Sequence, residues 1–210
     1  MESVKLEDLK ECLVELNMDK TIELAKSLLE GGMDPLSILN TLREGLDEIG
    51  KRYERGEYFL SELIIAGDIM KQILPLVRPK SKKEEFLGKI VAGTVRGDLH
   101  DIGKNIFLML AEASGFEIID LGVDVPAEKF IETVRLHKPS IIAMSALLTV
   151  TMPHMSEVVK ALEKETLRRS VKVIIGGAPI TKKFGEEIGA DYAAETAVEG
   201  VEVCRRWVKR

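Results

Sequence analysis

The segment of this chain best equipped for chemistry runs from Gly97 to Asn105 and has the sequence Gly-Asp-Leu-His-Asp-Ile-Gly-Lys-Asn. It contains His100, one of only three histidines in the chain, with Asp98 two residues before it and Asp101 directly after it. A metal-binding histidine usually donates a hydrogen bond from the N–H of its second ring nitrogen to a carboxylate or another acceptor. The glycines that bracket the group let the backbone come close to something large. The segment therefore predicts a metal site with His100 as the ligand.

The first part of the chain, which precedes this segment, has the sequence pattern of a separate helical region. Residues 1 to about 78 place apolar side chains at helical spacing and divide into four helices. The third is expected to begin with Asp34 as its N-cap and Pro35 at its first position, and the fourth to run from about Ser61 to Leu76. Four helices with short joints predict a small antiparallel bundle.

The second part of the chain alternates short apolar runs with helical segments. Strands are expected at 89–95, 117–121, 140–147, 172–175 and 191–193, and helices at 104–114, 126–137, 152–168, 181–188 and the C-terminus. Five such units predict an α/β domain, a parallel sheet in the flavodoxin-like or Rossmann-like order 2-1-3-4-5. Pro75, Pro79 and the charged run 80–85 indicate a linker. The expected organisation is a helical bundle at 1–80, a linker at 81–87 and an α/β domain at 88–210.

This sheet order predicts where a ligand would bind. In open α/β sheets, ligands bind at the carboxyl ends of the strands, where the strand order reverses. The loop after the first strand carries His100, and the loop after the third carries Ser145, Thr149 and Thr151, of which the two threonines are also candidate N-caps. The loop after the fourth strand contains Gly176-Gly177. Asp101 is the candidate N-cap of the helix that follows His100.

These loops lack the sequence motifs of several well-known binding and catalytic sites. Neither G-x-G-x-x-G nor G-x-x-x-x-G-K-[ST] is present. A receiver domain would need an aspartate where Ser145 stands. A Ser145–His100–Asp98 triad is conceivable but lacks the G-x-S-x-G turn. Zinc would need more histidines or cysteines. One histidine, one carboxylate and space suggest a metal that brings most of its own ligands, as in a tetrapyrrole-like ring.

Composition excludes other classes of function. The chain has a net charge of -5 with no basic stripe, which argues against nucleic-acid binding. No apolar run approaches the ~18 residues of a membrane span, and the N-terminus is polar. Cys12 and Cys204 lie far apart and lack a C-x-x-C neighbour, which argues against a disulfide framework or an iron–sulfur cluster. We therefore expect a cytoplasmic protein.

Three segments resemble the motifs of corrinoid-binding proteins. Gly97–Asn105 resembles the D-x-H-x-x-G signature, and Ser145-x-Leu147 and Gly176-Gly177 are similar to the second and third motifs. The likeness is to the small corrinoid proteins of anaerobic methyltransferase systems and to the cobalamin-binding modules of methionine synthase. In the bundle, residues 49–60, with Tyr53 and Leu60, resemble the cap motif that covers the methyl face of the corrin ring.

The resemblance implies a role for each motif. His100 would be the lower axial ligand of cobalt, with Asp98 and Thr151 as the relay behind it. The rest of the first motif would contact the cofactor, and other residues would line the channel of its nucleotide tail. The first group is Gly97, Leu99, Asp101, Ile102 and Gly103, and the second is Ser145, Leu147, Thr149, Gly176, Gly177, Thr196 and Ala197. Glu195-Thr196 departs from the Asn or Asp followed by Ala that the family pattern leads us to expect.

The resemblance also implies a function. The chain would hold a corrinoid, either cobalamin or another cobamide, in the methyl-cobalt form. It would take a methyl group from a substrate-specific methyltransferase and give it to a second methyltransferase, with tetrahydrofolate or a thiol as the acceptor. An external reductive activase would restore oxidised cobalt, and the charged linker would let the bundle move. The alternatives are a subunit of an adenosylcobalamin mutase and a cobalamin-dependent sensor. The methyl donor remains open.

Overall fold

The computed structural model describes residues 2–77 and 86–208, with side chains from residue 6 onward. The chain divides into two compact units, Met1–Glu85 and Phe86–Arg210. We refer to them as the helical unit and the sheet unit. Most of the linker predicted at 81–87, including the charged residues 81–85, lies outside the described residues.

The helical unit has the four helices that the sequence predicts. They are α1 (Glu2–Val14), α2 (Met18–Glu30), α3 (Pro35–Glu54) and α4 (Leu60–Val77). Helix α1 packs on α2 and α3, and α4 packs on α2 and α3. Asp34 caps α3 as expected, because its side chain accepts a hydrogen bond from the Ser37 amide. The apolar stripes meet in a closed core that includes Leu9, Leu13, Ile38, Leu42, Ile69 and Met70.

The ends of α4 differ from the expected ones. The helix begins at Leu60, and Ser61 is not its cap. Instead, the Glu62 carboxylate accepts hydrogen bonds from the Phe59 amide, at 2.8 Å, and from the Ser61 hydroxyl. At the other end the helix runs through Pro75 to Val77, one residue past the expected Leu76. A proline near the end of a helix removes only one backbone hydrogen bond, so it need not end the helix where it stands.

The sheet unit alternates strands and helices throughout. Its elements are β1 (Lys89–Thr94), α5 (Ile102–Ala113), β2 (Glu117–Asp120), α6 (Ala127–His137), β3 (Ile141–Ser145), α7 (Pro153–Lys164), β4 (Lys172–Gly176), α8 (Lys182–Ile188), β5 (Tyr192–Ala194) and α9 (Ala197–Val208). All strand pairs are parallel, and the order β2-β1-β3-β4-β5 confirms the predicted topology. The core between sheet and helices includes Val91, Phe130, Ile142, Val158 and Val173.

Helix α7 is shorter than the sequence indicates. It ends at Lys164, four residues before the expected Arg168, and a short 3-10 turn occupies Arg168–Ser170. Thr166 adopts a left-handed conformation with φ 58°, and the Leu167 amide donates to the Leu162 carbonyl. This is the hydrogen bond of a Schellman motif, which usually contains glycine. Because threonine stands in that place, the sequence carries no glycine signal for the end of the helix.

The register of the strands aligns their carboxyl ends. Thr94 of β1 pairs with Ser145 of β3, Ser145 with Gly176 of β4, and Gly176 with Ala194 of β5. Neighbouring strands lie about 4.8 Å apart, so β1 and β5 are separated by roughly 14 Å along this edge. The loops that follow these four residues therefore begin in a row. Within the described residues, no helix has both the length and the apolar character that crossing a bilayer requires.

Gly177 allows the loops after β3 and β4 to touch. It has φ 136°, and a Cβ on it would lie 1.9 Å from the Ala146 carbonyl oxygen. That oxygen belongs to the backbone and cannot rotate away as a side chain could. Any larger residue at this position would separate the two loops.

We predict that Gly177→Ala lowers the free energy of unfolding of the sheet unit by about 3 kcal/mol or more, since an unfavourable φ adds to overpacking. Gly122→Ala is the matched control, because Gly122 has φ 84° but open space around its missing Cβ. It should cost about 1–2 kcal/mol. Urea unfolding followed by fluorescence of Trp207, the only tryptophan, reports on this unit. Equal losses in the two variants would contradict the steric explanation.

Candidate functional site

The carboxylate of Asp98 organises the carboxyl edge of the sheet. Its side chain is fully buried. Oδ2 accepts hydrogen bonds from the amides of Leu147 and Leu148, at 2.8 and 3.1 Å, and from the Thr151 hydroxyl at 2.7 Å. Oδ1 accepts the His100 amide at 3.1 Å and lies 2.8 Å from His100 Nδ1. The loop after β1 is thereby joined to the loop after β3.

These donors keep Asp98 ionised. Burial alone would raise its pKa, because it penalises the charged form. The hydrogen bonds from Thr151, His100 and Leu147 outweigh burial, so the pKa of Asp98 lies well below its ordinary value. At neutral pH the carboxylate is therefore a hydrogen-bond acceptor at both oxygens.

The ionised Asp98 determines which nitrogen of His100 is available. Nδ1 faces a carboxylate oxygen that can only accept, so the proton of the neutral ring resides on Nδ1. Nε2 is then left with a free lone pair. The His100 side chain is 51% exposed, although its Asp98 partner is buried. The arrangement presents one fixed imidazole lone pair to a ligand, as a metal-binding histidine requires.

The Thr151 hydroxyl donates to Asp98 and does not cap α7, so the N-cap role considered for it in the sequence is not observed. It lies 2.7 Å from Asp98 Oδ2 and 2.8 Å from the Leu148 carbonyl oxygen. A hydroxyl has one proton, so it can donate fully to only one of these acceptors at a time. Thr149 does not join the group and is exposed in the same loop.

Asp101 stands at the N-cap position of α5, but its side chain makes no capping hydrogen bond. It accepts from the Asn105 side chain instead, at 3.0 Å. Helix α5 starts at Ile102, two residues earlier than expected. Lys104, in the first turn, is buried, and its Nζ donates to both Asp120 oxygens and to Asn105 Oδ1 at 2.7–2.8 Å. This pair ties the start of α5 to the end of β2.

Two residues that the sequence analysis did not select support the loop after β1. The Thr94 hydroxyl, fully buried, donates to the His100 carbonyl oxygen at 3.1 Å. Asp124 Oδ1 accepts the Gly97 amide at 2.7 Å, and the Asp124 amide donates to the Asp98 carbonyl oxygen at 3.0 Å. Nothing in the local sequence pairs either residue with the histidine, since a strand-end threonine and a loop aspartate are common.

The surface around His100 is unusually apolar for a set of loops. Leu99 and Ile102 are each 70% exposed and Val150 is 76% exposed. Leu147 and Leu148, whose amides bind Asp98, also leave their side chains partly in solvent. Exposed apolar groups in one region of a surface indicate a binding face. Here they lie in the loops after β1 and β3 and at the first residue of α5, around the imidazole.

Two predicted glycines leave room beside this face. A Cβ on Gly103 would meet nothing within 4 Å, and one on Gly176 would make only an ordinary contact of 3.6 Å with the Ala194 carbonyl oxygen. Gly177 differs, since packing within the chain already requires glycine there. One exposed imidazole, apolar surroundings and open space fit a large, mostly apolar metal complex that needs a single protein ligand.

The remaining predicted residues of the sheet unit lie along the same edge but farther away. Ser145 ends β3 beside Thr94. Thr196 and Ala197 follow β5, three strands from β1. The Thr196 hydroxyl accepts the Glu199 amide at 3.1 Å and so caps α9. A ligand that reached both His100 and Thr196 would need an extension of roughly 14 Å.

The predicted cap residues lie in the helical unit. Tyr53 is half-buried on α3, and Leu60 opens α4 with 40% of its surface exposed. Between them, Tyr58 anchors the turn, because its hydroxyl donates to the Val14 carbonyl oxygen at 2.7 Å and accepts from Arg52. Phe59 is 68% exposed. Tyr58 is not among the residues predicted from the sequence.

Comparison with known families matches nearly the whole chain. One family model, described as a B12 binding domain, matches residues 88–202, and a second model of the same description matches residues 5–77. The dimethylamine corrinoid protein 1 of Methanosarcina acetivorans is 41% identical over 176 residues, which cover 82% of this chain and 83% of the relative.

Solved structures agree with these matches. A cobalamin-binding protein from Desulfitobacterium hafniense has a TM-score of 0.87 at 37% identity and covers 97% of this chain and 98% of its own. The methanol:cobalamin methyltransferase complex of Methanosarcina barkeri contains a chain with a TM-score of 0.84 at 26% identity, which covers 97% of this chain and 79% of that one.

The depressed pKa of Asp98 predicts a specific loss of stability in acid. In the unfolded chain an aspartate takes up a proton near pH ~3.9, whereas the folded protein resists this until a much lower pH. The stabilisation is therefore complete above pH ~4 and declines as pH falls. Each pH unit below that point should remove up to about 1.4 kcal/mol from the difference between the wild type and Asp98→Asn.

The measurement is the free energy of urea unfolding of the corrinoid-free protein, followed by Trp207 fluorescence from pH 6 down to pH 3. Glu163→Gln, a change at an exposed carboxylate of α7, is the control and should follow the wild-type curve. Parallel curves for the wild type and Asp98→Asn would show that Asp98 is not held ionised by its donors.

Proposed function

The chain belongs to the family of B12-binding corrinoid proteins, and from this premise we propose that it is a methyl carrier. It would receive a methyl group on its corrinoid from one methyltransferase and present that group to a second. The observation that carries the proposal is the imidazole of His100, with Nδ1 held by the buried, ionised Asp98 and Nε2 free among exposed apolar side chains.

The residues of the chain have distinct tasks in this proposal. A bound corrinoid supplies a cobalt centre that can accept and release a methyl group. His100 would offer Nε2 as the protein ligand of that centre, and Asp98 fixes the tautomer and direction of the ring. Thr151 stabilises the charge on Asp98. The open space at Gly103 and Gly176 admits the cofactor without a clash.

We assign the lining of the cofactor to the residues predicted from the sequence. The apolar side chains Leu99, Ile102 and Leu147 would cover the lower face and exclude water from it. Ser145, Thr149, Gly177 and the start of α9 at Thr196 and Ala197 would follow an extended tail along the carboxyl edge. This assignment calls for a ligand that extends roughly 14 Å, the separation between β1 and β5 along the edge.

The helical unit completes the proposal. We propose that Tyr53 and Leu60 would help to shield the bound cofactor, as the resemblance to the cap motif implies. Exposure of Leu60 and Phe59 supports this role, because apolar side chains at the start of α4 are available for contact. A water-poor lid would protect a reactive metal–carbon bond.

The partners in this proposal are a substrate-specific methyltransferase, an acceptor methyltransferase and an external reductive activase. One similar protein is named for dimethylamine, and another belongs to a methanol:cobalamin methyltransferase complex. Similar carriers thus occur with different methyl donors, which suggests that donor specificity lies in the partner enzyme. The final acceptor would be tetrahydrofolate or a thiol. The cytoplasmic location stays a prediction.

Methyl transfer can be tested with purified components. The protein is loaded with hydroxocobalamin, reduced, and mixed with a methyltransferase for dimethylamine, trimethylamine or methanol and the matching isotopically labelled substrate. We expect one enzyme to label the cofactor on the protein, and a second enzyme to move the label to an acceptor. Absence of any label, in a protein that does take up methyl groups from methyl iodide, would argue against these donors. A loaded protein that no methylating agent labels would overturn the carrier function.

We predict that His100→Ala removes the protein nitrogen from cobalt without abolishing cofactor binding, because most of the contact surface remains. The measurement is electron paramagnetic resonance of the cobalt(II) form in protein carrying ¹⁵N-labelled histidine. In the wild type the label should alter the nitrogen splitting, and in His100→Ala it should not. His154→Ala, which removes a histidine that pairs with Glu157, is the control and should behave as wild type. A label effect that survives in His100→Ala would refute the assignment.

A further inference from the structure

We propose that Asp124 is a positioning residue for His100. Its carboxylate fixes one peptide of the loop after β1, and that peptide sets where Asp98 holds the imidazole. The inference rests on the proposed role of His100 as the axial ligand. Asp124 itself lies in the loop between β2 and α6 and does not touch the histidine.

The loop after β1 begins with a tight turn. The Asp98 amide donates to the Val95 carbonyl oxygen at 3.1 Å, and Gly97, the third residue of the turn, has φ 77°. A positive φ at the third position defines a type II turn, in which the central peptide is flipped relative to a type I turn. The N–H of that central peptide belongs to Gly97. Whatever binds this N–H selects between the two turn types.

Asp124 binds this N–H and also the peptide between Asp98 and Leu99. Its Oδ1 accepts the Gly97 amide at 2.7 Å, the shortest backbone-to-carboxylate contact in the loop, and its own amide donates to the Asp98 carbonyl oxygen at 3.0 Å. A charged acceptor makes such a hydrogen bond stronger than a neutral one. Asp98 is thus held through its backbone on the β2 side and through its carboxylate on the β3 side.

The conformation of Asp124 explains the residue type. It has φ 54°, in the left-handed region, where aspartate and asparagine are tolerated better than most residues. The neighbouring backbone is anchored independently, because the Val125 amide donates to the Thr94 carbonyl oxygen and the Thr94 amide to that of Gly122. A lost Asp124 side chain would therefore release the turn without displacing the strands.

Two variants separate the hydrogen bond from the backbone strain. Asp124→Gly keeps the left-handed backbone at no steric cost and removes the acceptor. Asp124→Asn keeps both the backbone preference and an oxygen acceptor. Lys138→Gly is the matched control, since Lys138 has φ 46° at the end of α6 in the same unit and precedes β3, at the opposite edge of the sheet from the site.

The readout is the ¹⁵N spectrum of the histidine rings in the corrinoid-free protein at pH ~8.5, where an ordinary histidine is neutral. In the wild type, the signals of His100 should show a proton on Nδ1 alone. In Asp124→Gly we expect the population of ring released from Asp98 to rise at least about tenfold, the equivalent of ~1.4 kcal/mol for one charge-assisted hydrogen bond. Asp124→Asn, which keeps a neutral acceptor, should release less of the ring than Asp124→Gly, and Lys138→Gly should retain the wild-type spectrum.

Three results would overturn the proposal. The first is an unchanged His100 spectrum in Asp124→Gly, including the case in which only the unfolding midpoint falls. The second is the same spectral change in Lys138→Gly, which would indicate general loosening of the unit. The third is a ring released as much in Asp124→Asn as in Asp124→Gly, which would show that the acceptor oxygen does not matter. Because no corrinoid is present, these results are independent of whether the protein carries methyl groups, so the proposed function and the role of Asp124 can fail separately.

Discussion

The buried carboxylate of Asp98 is the constraint on which the site depends. An ionised group in the interior must find donors, and the chain supplies them from two loops that follow different strands, with His100 and Thr151 among the donors. This arrangement is possible only because β1 and β3 are neighbours with aligned carboxyl ends. The parallel topology thus lets residues of the loop after β3 hold the short segment from Asp98 to His100 in place. The exposed imidazole is fixed by a partner that water does not reach.

Much of this organisation could be predicted from the sequence because it follows from short-range patterns. The alternation of apolar runs and helical segments predicted five parallel strands, and a sheet of five such strands suits the order 2-1-3-4-5 that the structure shows. Asp98 stands two positions before His100, close enough for its carboxylate to reach Nδ1 of the ring, and this spacing alone suggested the pair. The four helices of the first unit followed from apolar periodicity, and Asp34-Pro35 marked the start of α3 because capping is local.

The rest depends on contacts between distant residues or on backbone conformations without a sequence signal. Thr166 ends α7 in a left-handed conformation. A glycine at this position would have indicated the end of the helix in the sequence, but threonine does not. Asp124 meets Gly97 across 27 positions, and the Leu147 amide meets Asp98 across 49. The glycine pair illustrates both cases: Gly177 is required by the neighbouring loop, whereas Gly176 is not. A sequence motif records that both are glycine and cannot distinguish these two reasons.

The open space beside Gly103 has a consequence for how variants of this protein are judged. Gly103 lies in the first turn of α5, where alanine would favour the helix and its Cβ would meet nothing within 4 Å. Selection for thermal stability of the cofactor-free protein would therefore tolerate or favour the replacement of this glycine by alanine. In the proposed binding mode, only selection in the presence of the cofactor would detect this replacement. The residue type at position 103 would then be set by the shape of a bound molecule, to which folding experiments on the empty protein are insensitive.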